Sequence, residues 1–168
     1  TSDALQGTAA AKYAMDQGMK DLSIIHVNND FGVNMLAEFR RAYEALGGKI
    51  RSVTPYNPQQ PSYAAEVTNA LKAEAPALYF IGYPGDGTTI VRTWIQQGGP
   101  QRFLLNDGMN AADFIKGVGP QFLANAYGTS SGTTKTPSTE FFASAYPAMS
   151  GGFDAGAPAA DRAFDAAA

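Results

Sequence analysis

Short apolar runs alternate with amphipathic stretches along most of this chain, and that rhythm sets the first expectations. Leu22 to Val27 (LSIIHV), Ala77 to Ile81 (ALYFI) and Phe103 to Leu105 are apolar runs of strand length. Lys49 to Tyr56 alternates like a strand at its start, and Ala126 to Ser130 reads as a weaker strand. Helical spacing fills the intervals. Leu5, Ala9, Tyr13 and the Ala and Met positions between them form a stripe that follows Asp3, a candidate N-cap, and ends at Gly18. Residues 31–46 place Leu36, Phe39, Tyr43 and Leu46 on one face, after the polar turn Asn28-Asn29-Asp30 and before Gly47-Gly48. Ser62 caps a helix from about Tyr63 to Ala75, with Val67, Ala70 and Leu71 inward and Pro76 as its breaker. Another helix runs through Trp94 to Gln97 and closes at Gly98-Gly99-Pro100. Ala111 to Lys116 is a short helix, and Ser138 caps one over 139–149. Ala159 to Ala168 reads as a helix with no stop signal, so the chain is expected to continue beyond it.

The order is a helix, four strand–helix units, then helices. Fully apolar short strands between helices predict a parallel sheet covered on both faces. The expected fold class is therefore α/β: a three-layer αβα sandwich with a mainly parallel, doubly wound sheet. Ligands of such sheets sit at the carboxyl ends of the strands. Here those ends are Asn28 to Phe31, Gly82 to Asp86 and Asn106 to Gly108.

Composition narrows the function classes. Over 168 residues, 45% are hydrophobic and 16% charged, the balance of a globular chain. The formal net charge is −3 and the 12 Lys and Arg are scattered, which argues against a nucleic-acid partner. With no cysteine, a disulfide framework, a thiolate metal site and a Cys nucleophile are excluded. No apolar run approaches the roughly 20 residues that span a bilayer as a helix, and the first residues do not read as a signal peptide.

Little in the chain points to catalysis. His26 is the single histidine and lies within an apolar strand, where a hydrogen-bonded interior role is expected. No metal-ligand cluster and no Gly-x-Ser-x-Gly elbow is present. Gly82-x-x-Gly85-x-Gly87 follows a strand and precedes a helix, but its spacing is not that of a phosphate cradle and no Lys follows. The glycines turn the backbone, Pro84 starts a helix, and Tyr83 is expected to be exposed at the strand end. Asp107, within Asn106-Asp107-Gly108, and Asp30 and Asp86 have ordinary turn and cap chemistry as their local explanations. No enzyme, metal or cofactor is expected.

Taken in order, these segments resemble a known family. Ser2-Asp3 with Gln6-Gly7 is similar to a "PSD…QG" segment, and Asn28 to Gly32 (NNDFG) to a "D-aromatic-G" helix start. Gly48-Lys49-Ile50 with Tyr56 to Tyr63 resembles "G…Y……DF/Y". Ala75 to Tyr83 (APALYFIGY), with Gly98 after the helix, resembles "PDAVYFGGY……G". Phe142 to Tyr146 and Ala163-Phe164-Asp165-Ala166 resemble "F…Y" and "AYDA". The set resembles the type I periplasmic binding proteins of branched-chain-amino-acid ABC transporters.

That resemblance implies two α/β lobes joined by three crossovers, with the ligand between them. Residues 1–168 match a single lobe, the second, with 150–168 beginning the return crossover to a first lobe outside this sequence. It further implies Asp107 as the acid facing the ligand's ammonium, Tyr83 as a neighbouring aromatic and Phe31 as a pocket wall. Asp30, Gly82, Asp86 and Gly108 fall at the cleft rim. The implied partners are a small ligand such as an amino acid of the Leu/Ile/Val type, the first lobe, and ABC permease subunits. The implied location is the periplasm, or the outer surface under a lipid anchor in a Gram-positive host. A ligand-sensing domain of a signalling protein is the alternative use of the same fold. As an isolated lobe, the chain is expected to self-associate through its exposed cleft face.

Overall fold

The computed structural model describes residues 3–130 together with 140, 141, 144 and 145. The chain divides into two units, Thr1–Ser130 and Ser131–Ala168. The described residues of the second unit are helical, and the Ser144 hydroxyl donates to the Phe141 carbonyl at 2.8 Å. Most of the helix expected over 139–149, the helix expected over 159–168 and the return crossover at 150–168 lie outside the described residues.

The first unit alternates strictly. Its elements are α1 (Asp3–Asp16), β1 (Asp21–Val27), α2 (Asp30–Ala45), β2 (Lys49–Tyr56), α3 (Ala64–Leu71), β3 (Leu78–Ile81), α4 (Pro84–Gln96), β4 (Phe103–Leu105), α5 (Ala112–Val118) and β5 (Ala126–Gly128). All strand pairs are parallel, in the order β2-β1-β3-β4-β5. The register sets Ile24 beside both Val53 and Tyr79, and Tyr79 beside Leu104. β3 and β4 are buried along their whole length, which is why their sequences read as unbroken apolar runs. Pro55 stands within β2, opposite His26. An edge strand tolerates it, because only one side of β2 needs to pair.

Two apolar layers flank the sheet, as the αβα expectation requires. On one face, Phe80, Phe103, Ile25 and Leu105 pack with Val67, Trp94 and Phe114 from α3, α4 and α5. On the other, Leu22, Ile24, Tyr79 and Leu104 pack with Ala10, Ala11 and Ala14 of α1 and with Met35, Phe39 and Tyr43 of α2. The Phe39 ring lies 4.8 Å from Tyr43 and 4.5 Å from Tyr79, centroid to centroid.

The stripe on α1 is corrected in part. Leu5 is 67% and Tyr13 37% exposed, whereas Gln6, Ala10, Ala11 and Ala14 are buried. The cause is backbone proximity: a Cβ on Gly7 would lie 2.8 Å from both the Phe39 nitrogen and the Glu38 Cβ. α1 therefore meets α2 through its smallest residues, and its larger apolar ones stay outside. Similarly, Leu46 is half exposed, because α2 has already ended at Ala45.

Candidate functional site

β1 has β2 on one side and β3 on the other, so the connections from neighbouring strands β1 and β3 leave the sheet in different directions. In a doubly wound sheet of this order, a crevice opens at the carboxyl ends of those two strands. Asn28 to Phe31 form one wall and Gly82 to Asp86 the other.

The first wall is fixed by helix capping. Asn29 is the N-cap of α2 and its side-chain oxygen accepts the Gly32 N–H at 3.0 Å. The cap is thus Asn29, and Asp30 is instead the first helical residue, exposed at the rim. The second wall follows from Pro84, which starts α4 and leaves Tyr83 as an extended N-cap residue, 45% exposed. The walls meet. The Phe31 and Tyr83 rings lie 5.7 Å apart at 30°, and the Asn29 side-chain amide donates to the Tyr83 hydroxyl at 3.3 Å. Two of the three expected ligand residues, Phe31 and Tyr83, are therefore in contact.

The third, Asp107, opens a single 3₁₀ turn, Asp107–Met109, at the end of β4. It is half-buried, and one carboxylate oxygen accepts the Gly108 N–H at 2.9 Å. Its neighbour Asn106 joins this turn to the crevice: the buried Asn106 side-chain oxygen accepts the Gly82 N–H at 2.9 Å. Sequence reasoning treated Asn106 only as a turn residue. A polar side chain next to a fully apolar strand end was the available signal. Gly82 is buried under the second wall, Gly108 is half-buried, and Asp86 bonds sideways to Tyr63 at 2.6 Å rather than capping α4.

Charge on this edge is one-sided. The segments 28–31, 57–63, 82–86 and 106–110 contain Asp30, Asp86 and Asp107 and no Lys or Arg. The helix N-termini of α2 and α4 also point here, and Asp30 and Asp86 in their first turns offset that positive end. Beyond β4 and β5 lies a further cavity of about 430 Å³, lined by Leu105, Met109, Phe114, Leu123 and Tyr127 among others. His26 takes no part in the crevice. It is buried, its Nδ1 lies 3.0 Å from the Val27 carbonyl, and burial holds its pKa below the usual imidazole value. Among the described residues no group of three or more His, Cys, Asp or Glu side chains could hold a metal ion.

Comparison with known proteins agrees with this architecture. A family model described as "Periplasmic binding protein" matches residues 1–168. No curated protein matches the chain. Among solved structures, the chain is similar to a leucine binding protein from Thermotoga maritima, at TM-score 0.77 and 23% identity, covering 89% of this chain and 43% of that one. A branched-chain amino acid transporter substrate binding protein from Streptococcus pneumoniae, in complex with isoleucine, matches at TM-score 0.72 and 21% identity over 88% and 43%. A fatty acid ABC transporter substrate-binding protein from Thermomonospora curvata matches at TM-score 0.73 and 17% identity over 89% and 40%. The chain thus spans less than half the length of these structures. With the family model matched from end to end and the parallel five-stranded sheet shared, the chain belongs to the periplasmic binding proteins and has their type I fold.

Proposed function

We propose that this chain is one lobe, the second, of a two-lobed extracytoplasmic receptor that captures a small solute for an ABC transporter, and that the solute is an amino acid of the Leu/Ile/Val type. The observation that carries the reading is the composition of the strand-end crevice: an aromatic pair, Phe31 and Tyr83, beside three carboxylates and no Lys or Arg. An aliphatic side chain gains by leaving water against the two rings. An ammonium taken from water needs a carboxylate partner, and Asp107, half-buried at the end of β4, supplies it. An anionic head group facing this lobe would meet Asp30, Asp86 and Asp107 and no Lys or Arg side chain. A ligand carboxylate therefore belongs to the facing lobe, and closure of the two lobes completes the set of contacts.

The solved structures support this reading only by analogy. Two are described by their leucine or branched-chain amino acid binding and one by fatty acid transport. The test is calorimetric binding to the two-lobed protein, screening leucine, isoleucine, valine and the matching acids without the amino group, with wild type and Asp107→Asn. Binding of an amino acid that the substitution weakens by about 2 kcal/mol or more supports the assignment. Binding confined to acids without an amino group, or indifference to the substitution, sinks it.

A further inference from the structure

The crevice is bordered on a third side by the loop after β2, residues 57–63, which carries an unusual backbone. Gln59 has φ +60, a conformation that side-chain-bearing residues adopt only at some expense. Two sets of contacts hold the loop there. At its far end, Asp86 in the first turn of α4 accepts the Tyr63 O–H at 2.6 Å and the Gln59 N–H at 3.2 Å through the same oxygen. The Tyr63 hydroxyl in turn accepts the Gln60 N–H at 3.1 Å. Tyr63 is 3% exposed, its ring 5.4 Å from Tyr56, so this anchor stands on the core. At its near end, Asn57 accepts from the side-chain amide of Asn28 at 3.0 Å.

Followed around, these contacts close on themselves. Asn28 adjoins Asn29, which donates to the Tyr83 hydroxyl; Tyr83 precedes Asp86 by three residues on the same helix start; Asp86 holds Gln59 and Tyr63; and the loop returns to Asn57 and Asn28. We propose that Asp86 and Tyr63 are positioning residues for the ligand site, clamping the loop after β2 so that this ring of contacts fixes Tyr83 against Phe31. Asp86 thereby acts through Tyr83, without touching the ligand. A carboxylate suits the task because hydrogen bonds to an ionised acceptor are short and strong. The ring also accounts for the strained Gln59 backbone, which its own N–H bond to Asp86 holds in place.

This inference rests on the proposed ligand site, and its test separates the two. Leucine, isoleucine and valine binding is measured calorimetrically on the two-lobed protein carrying Asp86→Ala, Asp86→Asn, Tyr63→Phe, Tyr83→Ala and the Asp86→Ala/Tyr83→Ala pair. Hydrogen exchange at the Gln59 and Gln60 amides is followed on the 168-residue chain. Asp86→Ala and Tyr63→Phe are expected to weaken binding by about tenfold, with Asp86→Asn between Asp86→Ala and wild type. Once Tyr83 is alanine, Asp86→Ala should add less than about twofold. Both amides should exchange faster in Asp86→Ala. If Tyr83→Ala weakens binding but Asp86→Ala does not, or does so equally in both backgrounds, or leaves amide exchange unchanged, the positioning role falls and the site stands. If Tyr83→Ala binds like wild type, or wild type binds none of the three, the site itself falls and the inference with it.

Discussion

Gly82 offers the sharpest perturbation of the crevice floor. A Cβ at this position would lie 2.2 Å from the Tyr56 hydroxyl oxygen and 2.7 Å from Phe80 Cζ, where ordinary contacts begin at 3.4 Å. Tyr56 is 1% exposed and Phe80 fully buried, and their rings stack 5.8 Å apart, so neither can swing aside. The strand end must shift by about 1 Å, which strains the Gly82 N–H bond to Asn106. Overpacking of this kind costs roughly 1–3 kcal/mol. For a chain of this size, about 2 kcal/mol corresponds to a fall in Tm of roughly 4–8 °C. The assay is thermal and urea unfolding of Gly82→Ala, read by the fluorescence of Trp94, the single tryptophan and a fully buried one. Tyr56→Phe removes the nearest clashing atom, so Gly82→Ala/Tyr56→Phe should recover about half of the loss by this overpacking argument. A Gly82→Ala protein within about 0.3 kcal/mol of wild type, below the expected overpacking range, would refute the close approach of β3's end to Tyr56.

Other predictions follow from the same packing. Gly7→Ala must separate α1 from the Phe39 backbone and should cost about 1–3 kcal/mol in urea unfolding, while Ala9→Gly on the exposed face costs only about 1. Tyr79→Phe should leave stability unchanged or raise it, because the buried Tyr79 hydroxyl has no hydrogen-bond partner among the described residues; a loss above about 1 kcal/mol in the same assay would show that it has one. His26 titrates lower in the folded chain than in the unfolded one, chiefly through burial. The unfolded chain therefore binds more protons just below its own pKa of about 6.5, and stability should fall as pH drops through that point. Urea midpoints for wild type and His26→Gln between pH 7.5 and 5 check this, and an equal decline in both would assign the effect to other groups.

How much of this was legible in the sequence depended on whether a signal was local. β3 and β4 were readable because strands buried on both faces leave unbroken apolar runs. Phe31 and Tyr83 were singled out through the family resemblance; what the local sequence showed was a helix start beside each, at Asn28-Asn29-Asp30 and at Pro84. The buried face of α1 was misread in part, because the i, i+4 spacing of Leu5, Ala9 and Tyr13 was taken as the guide. Gly7 and the alanines win there through backbone proximity, a property of the partner helix and not of the segment. β2 was read with its observed bounds, Lys49–Tyr56, but its edge position, which lets it hold Pro55, could not be read locally. The Asp86–Tyr63 contact spans 23 residues, and Asn106 reaches Gly82 across 24. No periodicity encodes such pairs, since they arise only when β-strand register brings two loops to one edge.

The β1–β3 strand-end crevice is proposed as this lobe's share of an amino-acid site. A crystal structure of the two-lobed protein with leucine, isoleucine or valine bound tests it most directly. The ligand's aliphatic chain should lie against the Phe31 and Tyr83 rings, with its ammonium within hydrogen-bond distance of the Asp107 carboxylate. A ligand seated elsewhere, such as in the cavity beyond β4 and β5, with Asp107 and Tyr83 untouched, would contradict it.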